Sequence, residues 1–255
     1  MTREFWQDPP WEDGVRKYRL GLRPITHAQW LRHDPELLAN KVRQLEQRYA
    51  EVVAQSEDFA APDISAWRLP WQPQGNYPHW IAQLGAGLAE DVCVLDLATG
   101  QRLLAGCLAA PSYWSLRDKL GKPMWQIHAP VEGMNQRIGA NIEKFLANIP
   151  GQTPFYRHNW FVHDERAYFP VRTSTVRGSV ADWQIRSEQQ VLYRPDERYL
   201  VFTIGVVFAP LNELAHHPQH QAGLLKTLQR MDADEISHFG GVEKHQRLTE
   251  YVNTL

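Results

Sequence analysis

Cysteine is scarce. Only Cys93 and Cys107 occur in 255 residues, too few for a disulfide framework, and no Cys or His cluster has the spacing that holds zinc or an iron–sulfur centre. Glycine-rich phosphate cradles are missing as well. The stretch Gly85-Ala86-Gly87-Leu88-Ala89-Glu90 starts like a dinucleotide fingerprint, but its third glycine is lacking and it precedes a strand instead of following one, so it reads as a turn. No glycine-rich loop ends in Lys-Ser or Lys-Thr. A chain without these modules has no recognisable way to take in electrons, and any redox chemistry draws them from elsewhere. Gly-x-Ser-x-Gly is also absent, which removes support for a nucleophile elbow and leaves Ser112 and Ser187 as isolated hydroxyls.

No apolar run reaches bilayer-spanning length, and the first residues, Met1-Thr2-Arg3-Glu4-Phe5-Trp6, have neither the basic start nor the apolar stretch of a leader. A soluble, cytoplasmic protein with no membrane partner is expected. The charge balance, 27 Lys and Arg against 29 Asp and Glu, lacks the basic excess that draws proteins onto phosphate backbones, so nucleic acid is not an expected partner.

The chain is long enough to bury one sizeable core. A single domain over residues 1–255 is expected, with residues 1–56 forming an arm and a helix packed on that core. Residues 1–33 show little periodicity. Asp34-Pro35 opens a helix, and Leu38, Val42, Leu45, Tyr49 and Val52 share the spacing of one helical face, predicting a helix that ends near Ser56. Prolines and Gly75 make 57–79 an irregular connection. Asp91–Leu97 and Arg102–Ala109 flank a short glycine turn and predict an antiparallel hairpin, with Cys93 and Cys107 facing one another as two small buried hydrophobes. A second helix is expected over Gly133–Asn148. Strands follow at Asn159–Val162, Ala167–Val171, Asp182–Ile185 and Tyr199–Phe208, the last so continuously apolar that it belongs at a sheet's centre. Helices after Pro218 and over Asp232–Tyr251 complete an α+β domain on an antiparallel sheet.

Three segments hold candidate chemistry. In Trp125-Gln126-Ile127-His128-Ala129-Pro130-Val131 a histidine stands among apolar residues, before a proline that biases Ala129 towards an extended backbone. A rigid, neutral imidazole whose second nitrogen donates to a carbonyl or carboxylate suits an axial haem ligand, and it equally suits a hydrogen-bonded core histidine. Arg157-His158-Asn159-Trp160, followed by His163-Asp164-Glu165, alternates so that Arg157 and Asn159 can face a cavity while His158 and Trp160 face away; a surface strand end with ordinary ion pairs has the same pattern. His158, His163 and Asp164 have the residue types of a two-histidine, one-carboxylate iron site. In Arg186-Ser187-Glu188, Arg186 can fork onto a carboxylate or polarise bound oxygen and Glu188 can hold an ammonium, or the two can simply pair. The cluster His216-His217-Pro218-Gln219-His220 reads as a solvated loop, because Pro218 breaks regular ligand geometry.

Taken in order, several segments resemble the haem-dependent oxidative N-demethylase alpha subunits. They run from Gly21-Leu22-Arg23-Pro24 and Trp30 through Glu90–Leu95, Pro111-Ser112-Tyr113-Trp114, Lys119–Lys122, Ile127–Val131 and Arg157–Trp160 to Arg186–Glu188 and Phe202-Thr203-Ile204. They cover about two thirds of the chain. The resemblance implies a PAS-like sheet with flanking helices and an N-terminal helical extension, binding haem b. It also implies partner subunits that carry flavin (FMN), a 2Fe-2S cluster and tetrahydrofolate, and NADPH- and O2-dependent removal of a methyl group from a small secondary amine such as dimethylamine, with release of formaldehyde. On this resemblance His128 is the iron ligand. Arg157, Asn159, Trp160 and Arg186 contact the cofactor, and Arg157, Arg186 and Glu188 serve catalysis. The chain departs from the family pattern at Glu132 and Met134, where Pro and Tyr are usual, and at Gln189 and Gly205, where arginines are usual. A haem-based sensor and a cofactor-free subunit are the alternatives that PAS-like folds leave open.

Overall fold

A computed structural model of the chain describes residues 5–11, 14, 16–169 and 176–255. Among these, seven strands form one sheet: β1 (Arg23–Pro24), β2 (Val53–Gln55), β3 (Asp91–Asp96), β4 (Arg102–Cys107), β5 (Phe155–His163), β6 (Gln184–Tyr193) and β7 (Tyr199–Pro210). Their order is β1-β5-β6-β7-β3-β4-β2 and every pairing is antiparallel. The expected α+β class holds, and β7 is the central strand that its unbroken apolar run predicts. The β3–β4 hairpin closes through Gly100 and Gln101, both at positive φ. Residues 167–169 of the strand expected at Ala167–Val171 are irregular, and 170–171 lie outside the described residues.

Eight helices surround the sheet among the described residues: α1 (Pro35–Gln47), α2 (Tyr49–Val52), α3 (Trp80–Ala86), α4 (Met124–His128), α5 (Ala140–Asn148), α6 (Pro218–Arg230), α7 (Ala233–Phe239) and α8 (Val242–Thr254). A π-helical turn, Asn135–Gly139, leads into α5, so the helix expected at Gly133–Asn148 is present with an irregular first turn. Among the described residues no helix is long and apolar enough to cross a membrane.

The first helix differs from its sequence reading in length and in rotation. Asp34 caps it by accepting from the Leu37 amide at 3.0 Å, and Pro35 stands at its start, where a missing N–H costs nothing. It ends at Gln47 because Arg48 leaves the helical region, and after the short α2 the chain passes directly into β2, which pairs with β4. Leu38 and Val42, expected on the buried face, are 40% and 43% exposed. The buried stripe is Leu37, Asn40, Lys41 and Leu45. Hydrogen bonding decides the rotation: Asn40 donates to the Ala109 carbonyl at 3.0 Å, and the Lys41 ammonium donates to the carbonyls of Gly85 and Glu90. Apolar periodicity cannot register polar side chains that find partners inside.

The period-two alternation of the strands separates two interiors. On one face Val92, Val94, Tyr156, Val191 and Val201 pack with Trp30, Trp71 and Ile81 beneath α1–α3. At the far end of the same face Trp160, Val162 and Ile185 meet Trp11 and helices α6–α8. The opposite face presents Cys93, Leu95, Leu103 and Leu200 towards Ile142 and Leu146 of α5. Cys93 pairs in register with Gly106, while Cys107 pairs with Val92. The offset of one residue sends the two thiols to opposite faces, which corrects the expectation that they face one another. Both are free and buried, as small hydrophobes should be.

The start of β3 is bolted to the segment after β4. The Asp91 carboxylate accepts from the Ala109 amide at 2.7 Å through one oxygen and from the Ala110 amide at 2.9 Å through the other. Asp91→Asn turns one of those acceptors into a donor facing a buried N–H. We expect a loss of about 1–3 kcal/mol of stability, measured as a lowered urea midpoint with an unchanged slope.

Candidate functional site

A cavity of about 1100 Å³ lies over the second face of the sheet, at or just beyond the upper end of the roughly 300–1,000 Å³ range of small-molecule sites. Its floor is built by alternation: Arg157, Asn159 and Phe161 of β5, Glu188 and Gln190 of β6, and Phe202 of β7. The roof is Ile127 and His128 of α4, Met134, Ile138 and the α5 residues Ile142 and Phe145. Pro111–Trp114, the α7–α8 junction and the arm residues Lys17–Leu22 close the remaining sides. The π-helical turn lets consecutive turns of the roof point apolar side chains downward, a device common at ligand sites.

His128 is the last residue of α4 and faces the cavity. Burial, with the charges of Arg157 and Lys119 behind it, pushes its pKa down to about 4, so the ring is neutral at pH 7 and holds an available lone pair. Ala129 is helical, φ −53° and ψ −34°, rather than extended: the hydrogen bonds of the last helical turn outweigh the bias that Pro130 exerts. The ring makes no side-chain hydrogen bond among the described residues, so its orientation comes from the helix end and from packing.

Glu188 stands on the floor with its carboxylate held from three sides. One oxygen accepts from Asn159 at 3.1 Å and Gln190 at 3.2 Å; the other lies 3.5 Å from the Arg186 guanidinium. Arg157 shares the floor, and its Nε is buried without a partner. Burial pushes its pKa down to about 10 against the pull of Glu188.

Arg157, Asn159, Glu188 and His128 are therefore brought together, while Trp160 and Arg186 do not line the cavity. Trp160 alternates to the opposite face and packs against Trp11 and Phe239. Arg186 is wholly buried beside Glu188 and donates to the Ala110 carbonyl at 2.6 Å. His158 also points away, bonding Tyr156 and Asp8, so it cannot join His163 and Asp164 at one iron: an even and an odd position on one strand face opposite sides. His217 stacks on Trp6 at 4.5 Å, and among the described residues no group of three His, Cys, Asp or Glu is placed to hold a metal ion. Of the departures, Met134 lines the cavity. Gln189 and Gly205 are register partners on the other face, where a Cβ at Gly205 would meet Glu90 at 3.1 Å.

Two residues of the wall were not singled out as cavity residues from the sequence. Tyr113 adopts φ +59°, a conformation that costs a non-glycine residue roughly 1–3 kcal/mol. Its ring stacks on His163 with centroids 5.1 Å apart, and its hydroxyl lies 3.3 Å from His163 Nδ1. His163 Nε2 is buried without a partner. The period-two series 157, 159, 161, 163 already placed His163 on the Arg157 face; the backbone of Tyr113 had no sequence signal.

The geometry defines a class: an α+β protein whose sheet carries on one face a large, mostly apolar cavity with a neutral imidazole on its roof and buried cations on its floor and sides. The chain belongs to the haem-dependent oxidative N-demethylase, alpha subunit-like family, whose pattern matches residues 25–249. The residues present suit the group the family's name specifies. A flat apolar macrocycle needs an apolar slot of this size, its iron needs an unprotonated nitrogen, and its acidic substituents need cations; His128, Arg157 and the roof of α4–α5 have the chemistry that would meet these needs.

His163 gives the fold a pH dependence. Burial, reinforced by Arg186, Lys244 and Lys17, pushes its pKa from 6.5 down to about 2. The unfolded ring therefore binds its proton first, and the stability it contributes is lost as pH falls below about 6.5. By pH 5 the loss from this ring is about 2 kcal/mol. Urea midpoints at pH 7 and pH 5 should draw apart less in His163→Gln than in the wild type, by about that amount.

Proposed function

We propose that this chain is the haem b-holding subunit of an oxidative N-demethylase for a small secondary amine such as dimethylamine, with a PAS-like fold and His128 as the axial iron ligand. The observation that carries the reading is the neutral His128 imidazole, open to a cavity of porphyrin dimensions in a chain of this family. When bound, haem supplies the activation of O2; the protein supplies binding, orientation and polarity.

In this reading Glu188 receives the substrate as its ammonium form. Asn159, Gln190 and Arg186 hold the carboxylate in one orientation, so ordering it costs little when the cation arrives. Arg186 acts through Glu188 as a positioning residue, and Arg157 contributes a cationic donor to the cavity. Apolar roof residues keep water from the reacting groups. With NADPH and O2, one methyl carbon leaves as formaldehyde, one oxygen atom leaves as water and the amine keeps its remaining substituents. Electrons arrive from partner subunits bearing flavin and 2Fe-2S, and a folate-bearing subunit takes the formaldehyde; the enzyme is cytoplasmic.

Reconstitution of the purified protein with ferric haem b is expected to give a Soret band at about one haem per chain, and His128→Ala to lose it or shift it to the spectrum of free haem. An identical spectrum in that variant removes His128 from the ligand role. Glu188→Gln in the assembled enzyme should raise KM for the amine about tenfold or more while leaving the Soret band in place.

A further inference from the structure

Three cations line the cavity with no carboxylate at ion-pair distance among the described residues. Lys17 comes from the arm before β1, donates to the Trp160 backbone carbonyl, and lies 4.1 Å from the Phe161 ring centroid and 5.6 Å from that of Phe239. Lys244, in the first turn of α8, lies 5.5 Å from the same Phe239 ring. Arg157 lines the same cavity, and its charge acts on both Lys17 and His128. Among the described residues none of the three forms an ion pair, and Arg157 Nε and His163 Nε2 are buried without partners.

The carboxylates whose charge these cations feel, Glu188, Glu235 and Asp164, are held by other hydrogen bonds. Glu188 is held by Asn159, Gln190 and Arg186. Asp164 accepts from the Arg177 amide at 2.9 Å, and Glu235 accepts from Asp232 and Tyr18 amides, both at 3.2 Å. At the same wall α8, thirteen residues long, starts at Gly241 without a side-chain cap; the space where a Cβ would stand is open. Its first amides add donors that point outward from the helix end. Burying cations is costly, and several of them held beside free backbone donors with no carboxylate at ion-pair distance suit an incoming anion.

We propose that Lys17, Lys244 and Arg157, with the uncapped start of α8, form a carboxylate-binding end of the cavity, taking the acidic substituents of the cavity's own ligand. The assignment rests on the haem reading, in which those carboxylates are the porphyrin's propionates, and it fixes which edge of the ligand lies towards the arm. Lys17 precedes residues 25–249, so this contact is a feature of the chain outside the span that the family pattern matches. Burial pushes Lys17 down to about 7, Lys244 to about 8 and Arg157 to about 10, against the pull of Glu188, Glu235 and Asp164.

The test titrates the ligand-free full chain with ferric protoporphyrin IX, with its dimethyl ester, and with glutarate, in the wild type and in Lys17→Met and Lys244→Met. The wild type should bind the free acid at least tenfold tighter than the ester by the Soret change. Each variant should lose most of that margin while binding the ester as the wild type does, and should melt at a higher temperature than the wild type when empty. Equal affinity of acid and ester in the wild type overturns the proposal, as do variants that melt lower and bind the acid unchanged. If neither porphyrin gives a Soret band, the haem reading falls. The glutarate arm then decides separately: stabilisation of the wild type and not of the variants supports a carboxylate site for another ligand, and no stabilisation ends it.

Discussion

The Arg186 guanidinium joins the floor of the cavity to its wall. It lies 3.5 Å from Glu188 on its own strand, and it donates to the Ala110 carbonyl at 2.6 Å, where the chain leaves β4. Asp91 grips the same turn from the neighbouring strand through two amides. Between them these buried charges set the origin of the segment that carries Tyr113, whose positive φ persists only because the surrounding structure over-determines it. A buried charge with its partners removed is far more expensive than one never buried, so the network rigidifies what it touches. The Glu188 carboxylate and the Tyr113 phenol inherit that rigidity.

The cavity combines two electrostatic conditions that normally conflict. Its histidines are kept neutral by burial and by neighbouring cations, which preserves nitrogen lone pairs, and of those cations Arg157, Lys17 and Lys244 line the cavity with no carboxylate at ion-pair distance among the described residues. In the proposed reading, haem, the group named by the family, would meet both conditions together, its iron taking the lone pair and its acidic substituents the positive charge. The departures at Gln189 and Gly205 belong to the opposite face, so the changes there alter packing beside Glu90 and Arg32 rather than the polarity of the cavity.

Much of this was legible in the chain's pattern. The glycine turn between two apolar runs specified the β3–β4 hairpin, the continuous Leu200–Ile204 run specified a central strand, and alternation in 157–160 separates the cavity side chains from the core side chains. The misreadings have two causes. Leu38 and Val42 were assigned inward because apolar spacing ignores Asn40 and Lys41, which are buried by long-range hydrogen bonds. Cys93 and Cys107 were set face to face because hairpin register depends on the turn and the β-bulge within β3, and an error of one residue reverses a side chain.

The amino-acid order alone determined the local periodicities, and through them the strands, most of the helices and the face that each residue of β5 presents, because these depend on neighbours within a few positions. Only the tertiary structure decided that Lys17, Tyr113, Glu188 and His128, drawn from separate segments, surround one cavity, and that Arg186 stands outside it. Convergence of this kind comes from strand order and from buried polar pairs at long sequence separation, and neither leaves a period in the sequence.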